Sequence, residues 1–534
     1  MLSRLLRDGL AVLWRRGRAT LSREHAIQLR RARDFYESGD LAESRLLYER
    51  ILQKSSDNAE AQFYLGLILG RTGSYSAAEA LLGKVVATQP QFVDALNALG
   101  NIAKLQEHWT VAEHHYRRAL SVQPGNTTIL ANLGLCLRES GQLETAELVL
   151  RRALEVSPPL PEAMLNLALT MADSGKQNEG LTLLRRALEL DANFAEAHAA
   201  LAHLLLQKGE FAAGWPEYEW RFQCMDAPTQ DVYSYAPWNG GLIHDKVLLV
   251  RAEQGLGDQI MFASCFSDVL ARTGQCIIEC EPRLVGLFSR SFPGVTFYPY
   301  VAKRKPQWTV NGVLPDVQIH VGSLPGLFRR GSTDFPRHLG YIVADSSRVE
   351  RWRKRLAQLG SGLKVGISWR GGAPRTRQAT RSISFAAWMP LLRQEGATFV
   401  SLQYNLGAEE IDALAQTSAV KVHHWQEVID DYEETAALVS ALDLIISVQT
   451  AVVHLAGALG KPAWALVSAT PEWRYMSFGE FMPWYPSVRL LRQAHRGDWL
   501  SVIEQTASML AAAIQSKGTA TPFQMNIEDP KEVC

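Results

Sequence analysis

Lys246-Val-Leu-Leu-Val250 is an unbroken apolar run that reads as a buried parallel strand. It leads through Arg251-Ala-Glu-Gln-Gly-Leu-Gly-Asp258 into an apolar helix near Gln259 to Arg272. Working outward, Cys276 to Cys280 reads as a second strand, Pro282 to Ser291 as a helix and Val317 to Val321 as a third strand. The order strand, loop, helix, strand, helix predicts a doubly wound sheet, with ligands at the C-terminal ends of its strands. After a helix at Arg348 to Leu359 the pattern restarts. The strands Lys364-Val-Gly-Ile-Ser-Trp369, Phe399-Val-Ser-Leu-Gln403 and Leu442-Asp-Leu-Ile-Ile-Ser447 are followed by Lys461 to Val467. Two such units in tandem imply a cleft between them.

Upstream the grammar changes. Gly66, Gly100, Gly134, Ala168 and Ala202 recur every 34 residues, and Ala78, Ala112, Ala146 and Gly180 keep the same step. Pro90, Pro124 and Pro158 form a third column; Ala61, Ala95, Ala163 and Ala197, with Ile129, form a fourth. A small residue lets two helices approach, glycine at 73, 141, 175 and 209 turns the chain between them, and proline ends the second helix. A period of 34 in this form is similar to the tetratricopeptide repeat, with five repeats from about His25 to Gly209, the first, with Ala32 and Gly39, weakly formed, and a further helix at Phe211 to Arg221. Stacked repeats bury what one repeat cannot and present a concave groove suited to peptides or helices.

The turn-rich stretch around Pro228, Pro237 and Asn239-Gly240-Gly241 separates the two halves. The expected organisation is an amphipathic N-terminal helix over 1–24, repeats over 25–222, a linker over 223–244, α/β units over 245–347 and 348–516 with a closing helix, and a loose polar tail over 517–534. Length alone, 534 residues at about 150 per domain, predicts three or four domains. Lysine plus arginine and aspartate plus glutamate both total 55, which argues against a sequence-blind nucleic-acid binder and a polybasic membrane-surface protein. No apolar run reaches the roughly 18 residues of a membrane span, and Gly9 to Trp14 is shorter than the roughly 7–15 residues of a signal-peptide core. Six scattered cysteines without a CxxC pair exclude a disulfide framework and offer no metal set, so a reducing, cytoplasmic location is expected.

Three stretches carry candidate chemistry. Gly255 and Gly257 let the backbone approach a ligand, and Asp258 at the helix start reads either as an N-cap or as a carboxylate that takes a proton from an acceptor hydroxyl. Ser447-Val-Gln449-Thr450-Ala451-Val-Val-His454 runs from a strand end into a helix, with Thr450 and His454 on one face. It reads either as an ordinary strand-to-helix turn or as a diphosphate cradle. Arg370, at a strand tip, and Arg375, Arg377 and Arg381 beyond it are either solvated or phosphate-binding, on a segment from Arg370 to Thr380 that reads as a loop over the cleft. In the repeats, Asn132 and Asn166 sit 34 apart, two residues before the small packing position. They read as peptide-backbone ligands, in the manner of protein O-GlcNAc transferase repeats, or as locally bonded amides.

Taken together, Ala252-Glu-Gln-Gly-Leu-Gly-Asp258, Val365-Gly-Ile-Ser-Trp-Arg370, Arg381-Ser-Ile383, Ser401-Leu-Gln403, Glu434-Thr-Ala-Ala-Leu438, Ser447 to Pro462 and Trp484-Tyr-Pro486 resemble the bacterial fusions of tetratricopeptide repeats to a GT-B glycosyltransferase domain. These are similar to lipopolysaccharide heptosyltransferases and, more distantly, to protein O-GlcNAc transferase. The resemblance implies an α-solenoid followed by an α/β GT-B domain of two Rossmann-like units, and an inverting transfer from a nucleotide sugar without metal or other cofactor. It implies Asp258 as base and a donor site drawn from Ser368, Trp369, Arg370, Gln403, Glu434, Gln449, Thr450, Ala451 and His454, with Gly255, Gly257 and Arg381 lining the cleft. Glu434 would reach a ribose. Gln449 departs from the pattern, since the fusions usually read Ser-Val-Asp-Thr; glutamine keeps hydrogen bonding but drops the charge.

The implied function is transfer of a sugar to serine or threonine of a protein that the repeats recruit, some members of this type being similar to flagellin glycosyltransferases. A tethered recognition array raises the effective acceptor concentration. Two alternatives stay open: a scaffold with a degenerate GT-B domain, motivated by Gln449, and an enzyme acting on a cell-surface glycan or lipid-linked acceptor. The expected partners are the protein acceptor and the nucleotide sugar, with no nucleic acid; repeat arrays often pair, so a homodimer fits the sequence.

Overall fold

A computed structural model describes residues 23–156, 160–224, 235–301, 308–310, 312–372, 378–406, 410 and 421–516. The expected N-terminal helix (apart from Arg23 and Glu24), most of the linker, Pro158, Arg375, Arg377 and the tail lie outside the described residues. The chain divides into two compact units, Met1–Ala197 and His198–Cys534.

The first unit is a succession of helix pairs: Arg23–Ser38 with Leu41–Lys54, Ala59–Arg71 with Tyr75–Thr88, Val93–Leu105 with Trp109–Val122, Thr127–Glu139 with Leu143–Val156, and Pro161–Asp173 with Gln177–Leu190. The small-residue column does what its spacing predicts. A Cβ on Gly134 would stand 2.3 Å from Leu150 Cγ, and one on Gly100 2.5 Å from Tyr116 Cε1, so a larger residue would force the paired helices apart. The interhelical turns need left-handed backbone, supplied by Gly39, Gly73, Gly141 and Gly175 at φ between 81° and 88°. Position 107 keeps the same turn with a glutamate at φ 60°, a conformation costing a residue with a Cβ about 1 kcal/mol.

The second unit holds twelve strands among its described residues. The sheet β1(Ala236–Pro237), β2(Ile243–Arg251), β3(Thr273–Cys280), β4(Thr296–Pro299) and β5(Val317–His320) has the order β1-β5-β2-β3-β4 and is wholly parallel. The second comprises β6(Leu363–Ser368), β7(Ala397–Ser401), β8(Val422–His423), β9(Leu444–Val448), β10(Ala463–Val467), β11(Phe481–Met482) and β12(Tyr485–Arg492), in the order β11-β12-β10-β9-β6-β7-β8. It is parallel except where β11 meets β12. β9 and β10 are buried along their whole length, which explains their unalternating apolar sequences: helices cover both faces. The closing helix Trp499–Gln515 supplies Ile503 and Leu510 to the core that Ile367 and Ile446 face.

Three local differences from the sequence reading have physical causes. The helix expected over 259–272 is broken into Leu256–Phe262, a 3-10 turn Ala263–Cys265 and Phe266–Leu270. The helix at Phe211 stops at Tyr218 and continues as a 3-10 turn to Phe222. It packs against the helix Ala195–Gln207, where a Cβ on Gly214 would be 2.8 Å from Leu206 Cγ, and also against the α/β part of the second unit, where Trp215 donates its indole N–H to Arg329 O at 2.7 Å and meets Trp473 edge-on. Strand β12 was not read from the sequence. No helix among the described residues is long and apolar enough to cross a membrane.

Candidate functional site

The parallel register brings the ends of four strands onto one edge of the second sheet. Ser368 pairs with Ser447 across β6 and β9, Val448 with Leu466 across β9 and β10, and Val467 with Arg492 across β10 and β12. The residues leaving the sheet there are therefore Ser368, Gln449, Ser468 and Gln493, with Gln403 beyond β7.

Opposite them, Gly255 caps the helix Leu256–Phe262, and Asp258 is its third residue, not the N-cap. Its Oδ2 accepts from Gly255 N at 3.3 Å, which ties the helix start to the loop before it, and its Oδ1 pairs with Arg474 at 2.7 Å. Gly257 lies so close to the helix Ala451–Ala458 that a Cβ on it would be 3.2 Å from both Ala451 Cα and His454 Cδ2. The starts of these two helices, one from each sheet's half of the unit, thus pack together at Gly257, next to Asp258. Just before the loop, Gln254 sits at φ 62°, a strained backbone of the kind that collects at functional positions.

Thr450 is the N-cap of the helix Ala451–Ala458: its Oγ1 accepts from Val452 N at 3.2 Å and lies 3.0 Å from Ser447 Oγ. The backbone of Gly371 lies against this helix start, where a Cβ would be 2.8 Å from Gln449 O. His454 is buried, with Nδ1 3.2 Å from Tyr485 Oη; burial, reinforced by the charge of Arg474, holds its pKa well below 6.5, so the imidazole is neutral. Arg474 was not singled out in the sequence. Burial works against its charge, but Asp258 and Glu472 more than offset that and push its pKa up. Arg381 sits 3.4 Å from Glu472.

Several residues assigned to a donor site are held in other roles. Gln403 is a staple: its Oε1 accepts from Ser368 Oγ at 3.2 Å, Trp369 N at 3.0 Å and Arg370 N at 2.9 Å, while Nε2 donates to Arg370 O at 3.1 Å and Tyr404 O at 3.0 Å. Its hydrogen bonding, and that of the fully buried Ser368, is spent on protein. Trp369 turns into the core against Phe385 rather than toward a base. Arg370 pairs with Glu410 at 2.8 Å. Glu434 is corrected most clearly: it accepts from Arg348 at 2.9 Å, Arg351 at 2.5 Å and the Trp352 indole at 2.7 Å, which fastens the helix Tyr432–Ala441 to Ser346–Ala357 and leaves no oxygen for a ribose.

Gln449 accepts through Oε1 from Ser468 N at 3.3 Å and faces Ser468 Oγ at 3.1 Å; Gln493 accepts through Oε1 from Ala469 N at 3.1 Å. Both side-chain NH2 groups are buried and, among the described residues, have no acceptor. Each such donor costs about 1–3 kcal/mol. Gln493 follows β12, whose Val488, Leu490 and Leu491 are the apolar residues that signal the strand.

In the repeats, Asn132 Nδ2 donates to Asn97 Oδ1 at 3.2 Å, and the Asn166 carbonyl accepts from Thr170. A cavity of about 730 Å³ in this unit lies nearer the start, among the first helices of three pairs. Arg33, Tyr36, Tyr64, Arg71, Asn97 and Asn101 line it, not Asn132 or Asn166. Among the described residues no three His, Cys, Asp or Glu side chains cluster as a metal site. Burial pushes the thiols of Cys276 and Cys280 up to about 12, which makes them poor nucleophiles.

The family model described as tetratricopeptide repeat matches residues 29–91 and 97–161. The N-terminal region is a tetratricopeptide array, which points to protein binding. Protein FlbA of Caulobacter vibrioides is 34% identical over 327 residues, covering 58% of this chain and 54% of FlbA, so the chain spans about half the length of that relative. Among solved structures, YrrB, described as a tetratricopeptide protein with an unusual peptide-binding site, is 21% identical over 32% of this chain and 89% of its own, with a TM-score of 0.29. TTC0263 of Thermus thermophilus is 22% identical over 34% of this chain and 99% of its own, with a TM-score of 0.31.

Proposed function

We propose that the chain is a metal-independent, inverting protein glycosyltransferase of GT-B architecture. The tetratricopeptide array recruits the acceptor protein, and the cleft between the two parallel sheets takes a nucleotide sugar. The observation that carries this reading is the Asp258 carboxylate in the first turn of a helix whose start packs on that of the helix Ala451–Ala458, with Arg474 in contact. In the reaction, Asp258 removes the proton of an acceptor serine or threonine hydroxyl as its oxygen attacks the anomeric carbon. The bond to phosphate breaks on the opposite side, and the phosphate leaves with the electron pair. Thr450 and the amides of the helix Ala451–Ala458 supply donors where that negative charge develops. Before Asp258 can act, its Oδ1 has to part from Arg474, and a diphosphate is a group that competes for a guanidinium.

Intact-mass analysis of candidate acceptors incubated with the full chain and nucleotide sugars tests the reading. A mass increase of one glycosyl residue, lost at least about 10²-fold in rate in Asp258→Asn, is expected. A scaffold reading rests on the same ion pair, which leaves Asp258 Oδ1 occupied, and on Arg370 being tied to Glu410. That reading requires Asp258→Asn to retain every cellular phenotype of the wild type and no acceptor to gain mass.

A further inference from the structure

We propose that Gln449 and Gln493 form a paired amide donor that recognises carbonyl-type oxygens, a carboxylate or an acyl-amide carbonyl, on the sugar portion of the nucleotide sugar. The inference rests on the transferase reading and gives its donor a chemical class. The two residues leave β9 and β12 on either side of β10, at the C-terminal edge where ligands of parallel sheets bind. Their side chains are 3% and 6% exposed.

The orientation of each amide is fixed by its neighbours. Successive backbone N–H groups, of Ser468 and Ala469, donate to Gln449 Oε1 and Gln493 Oε1, so each NH2 group is directed away from the backbone amide that its oxygen engages. These two NH2 groups are buried and have no acceptor among the described residues; the Arg474 Nε nearby is a further such donor. By contrast, its acceptor atoms are engaged: Gln403 Oε1 as well as the two glutamine oxygens, and the Ser468 hydroxyl faces both Gln449 Oε1 and Thr470 O.

That asymmetry selects a ligand group. A sugar hydroxyl could accept from the amides, but its own hydrogen would then be buried without a partner. A carboxylate or acyl carbonyl brings lone pairs and no hydrogen. The charged side chains nearby do not favour an anion over a neutral carbonyl, because Arg474 faces Asp258 and Arg381 faces Glu472. An aspartate in place of Gln449 would present only acceptors and favour hydroxyls, which gives the glutamine a consequence for donor choice.

The test is calorimetric titration of the full chain with UDP, GDP, ADP, dTDP and CDP, then with the hexose, hexuronic acid and N-acetylhexosamine conjugates of whichever nucleotide binds. The hexuronic acid or the N-acetylhexosamine conjugate, or both, should bind about tenfold or more tightly than the hexose conjugate, and the arm that gains identifies the oxygen source. Gln493→Met and Gln493→Glu should each shrink that gap to less than about twofold; the methionine variant avoids placing a buried charge. A nucleotide that binds with no preference among its conjugates, or a preference that survives in Gln493→Met, overturns the inference and leaves the transferase reading standing. Failure of every nucleotide and conjugate to bind overturns both.

Discussion

The two parallel sheets of the second unit finish their strands in opposite ways. At the C-terminal edge of the first, charges are buried in mutual contact. Arg251, leaving β2, pairs with Glu279 of β3 at 3.0 Å, with side chains 6% and 2% exposed. Glu253 accepts from Arg221 at 2.9 and 2.7 Å and from Gly322 N at 2.8 Å. At the corresponding edge of the second sheet amides and hydroxyls stand beside the more exposed pair Arg370–Glu410, and two amide donors are left over among the described residues. The same fold principle places both edges in position to bind ligands, but the two glutamine NH2 groups without an acceptor among the described residues belong to the second. A self-neutralised edge contributes rigidity, whereas an edge with spare donors is prepared for something to arrive.

The contrast is sharpened by substitutions on each side. Glu279→Ala removes a carboxylate partner of the buried Arg251 guanidinium, and we expect the largest loss, about 3–5 kcal/mol of unfolding free energy by chemical denaturation. A loss under about 1 kcal/mol would mean that the first edge is wetter and less self-contained than its contacts indicate. Gln403→Ala removes the staple at the exit of β6 and leaves the Trp369 and Arg370 amides without their acceptor; about 1–3 kcal/mol is expected. If the loss were negligible, Gln403 would belong with the spare amides, and the division of this edge into satisfied and unsatisfied glutamines would fail.

The smallest effect is a pH dependence. His454 has a folded pKa below its ordinary 6.5, so below about pH 6.5 protons bind the unfolded chain preferentially. Its contribution to stability is complete above that value and falls by about 1.4 kcal/mol per pH unit as pH drops toward the folded pKa. Other histidines are shifted in the same direction, so the measurement is the difference between wild type and His454→Gln in urea titrations from pH 7.5 to 5. The wild type should lose stability more steeply; parallel curves would place His454 in a hydrated setting.

Much of the fold was legible because its signals are local. Glycine or alanine at a 34-residue step fixes helix pairing without reference to anything distant, and the strands β2, β3, β6 and β9 announce themselves as short apolar runs. β12 escaped because Arg489 interrupts its apolar run. The candidate site was legible only in outline. Asp258, Gly257, Ala451 and His454 do come together, but Glu434 and Gln403, named from motif position, are consumed by partners whose proximity no spacing encodes.

By itself the sequence determined most element types, the 34-residue repeat and the two helix starts at Leu256 and Ala451, because helix and strand periods and turn residues act over a few positions. Which side chains meet was decided by tertiary structure. Asp258 acquires Arg474, Glu434 is lost to Arg348 and Trp352, and Gln493 lands beside Gln449 because parallel strands are joined by long crossovers. Strand order, not distance along the chain, therefore sets the neighbours at the edge of a sheet.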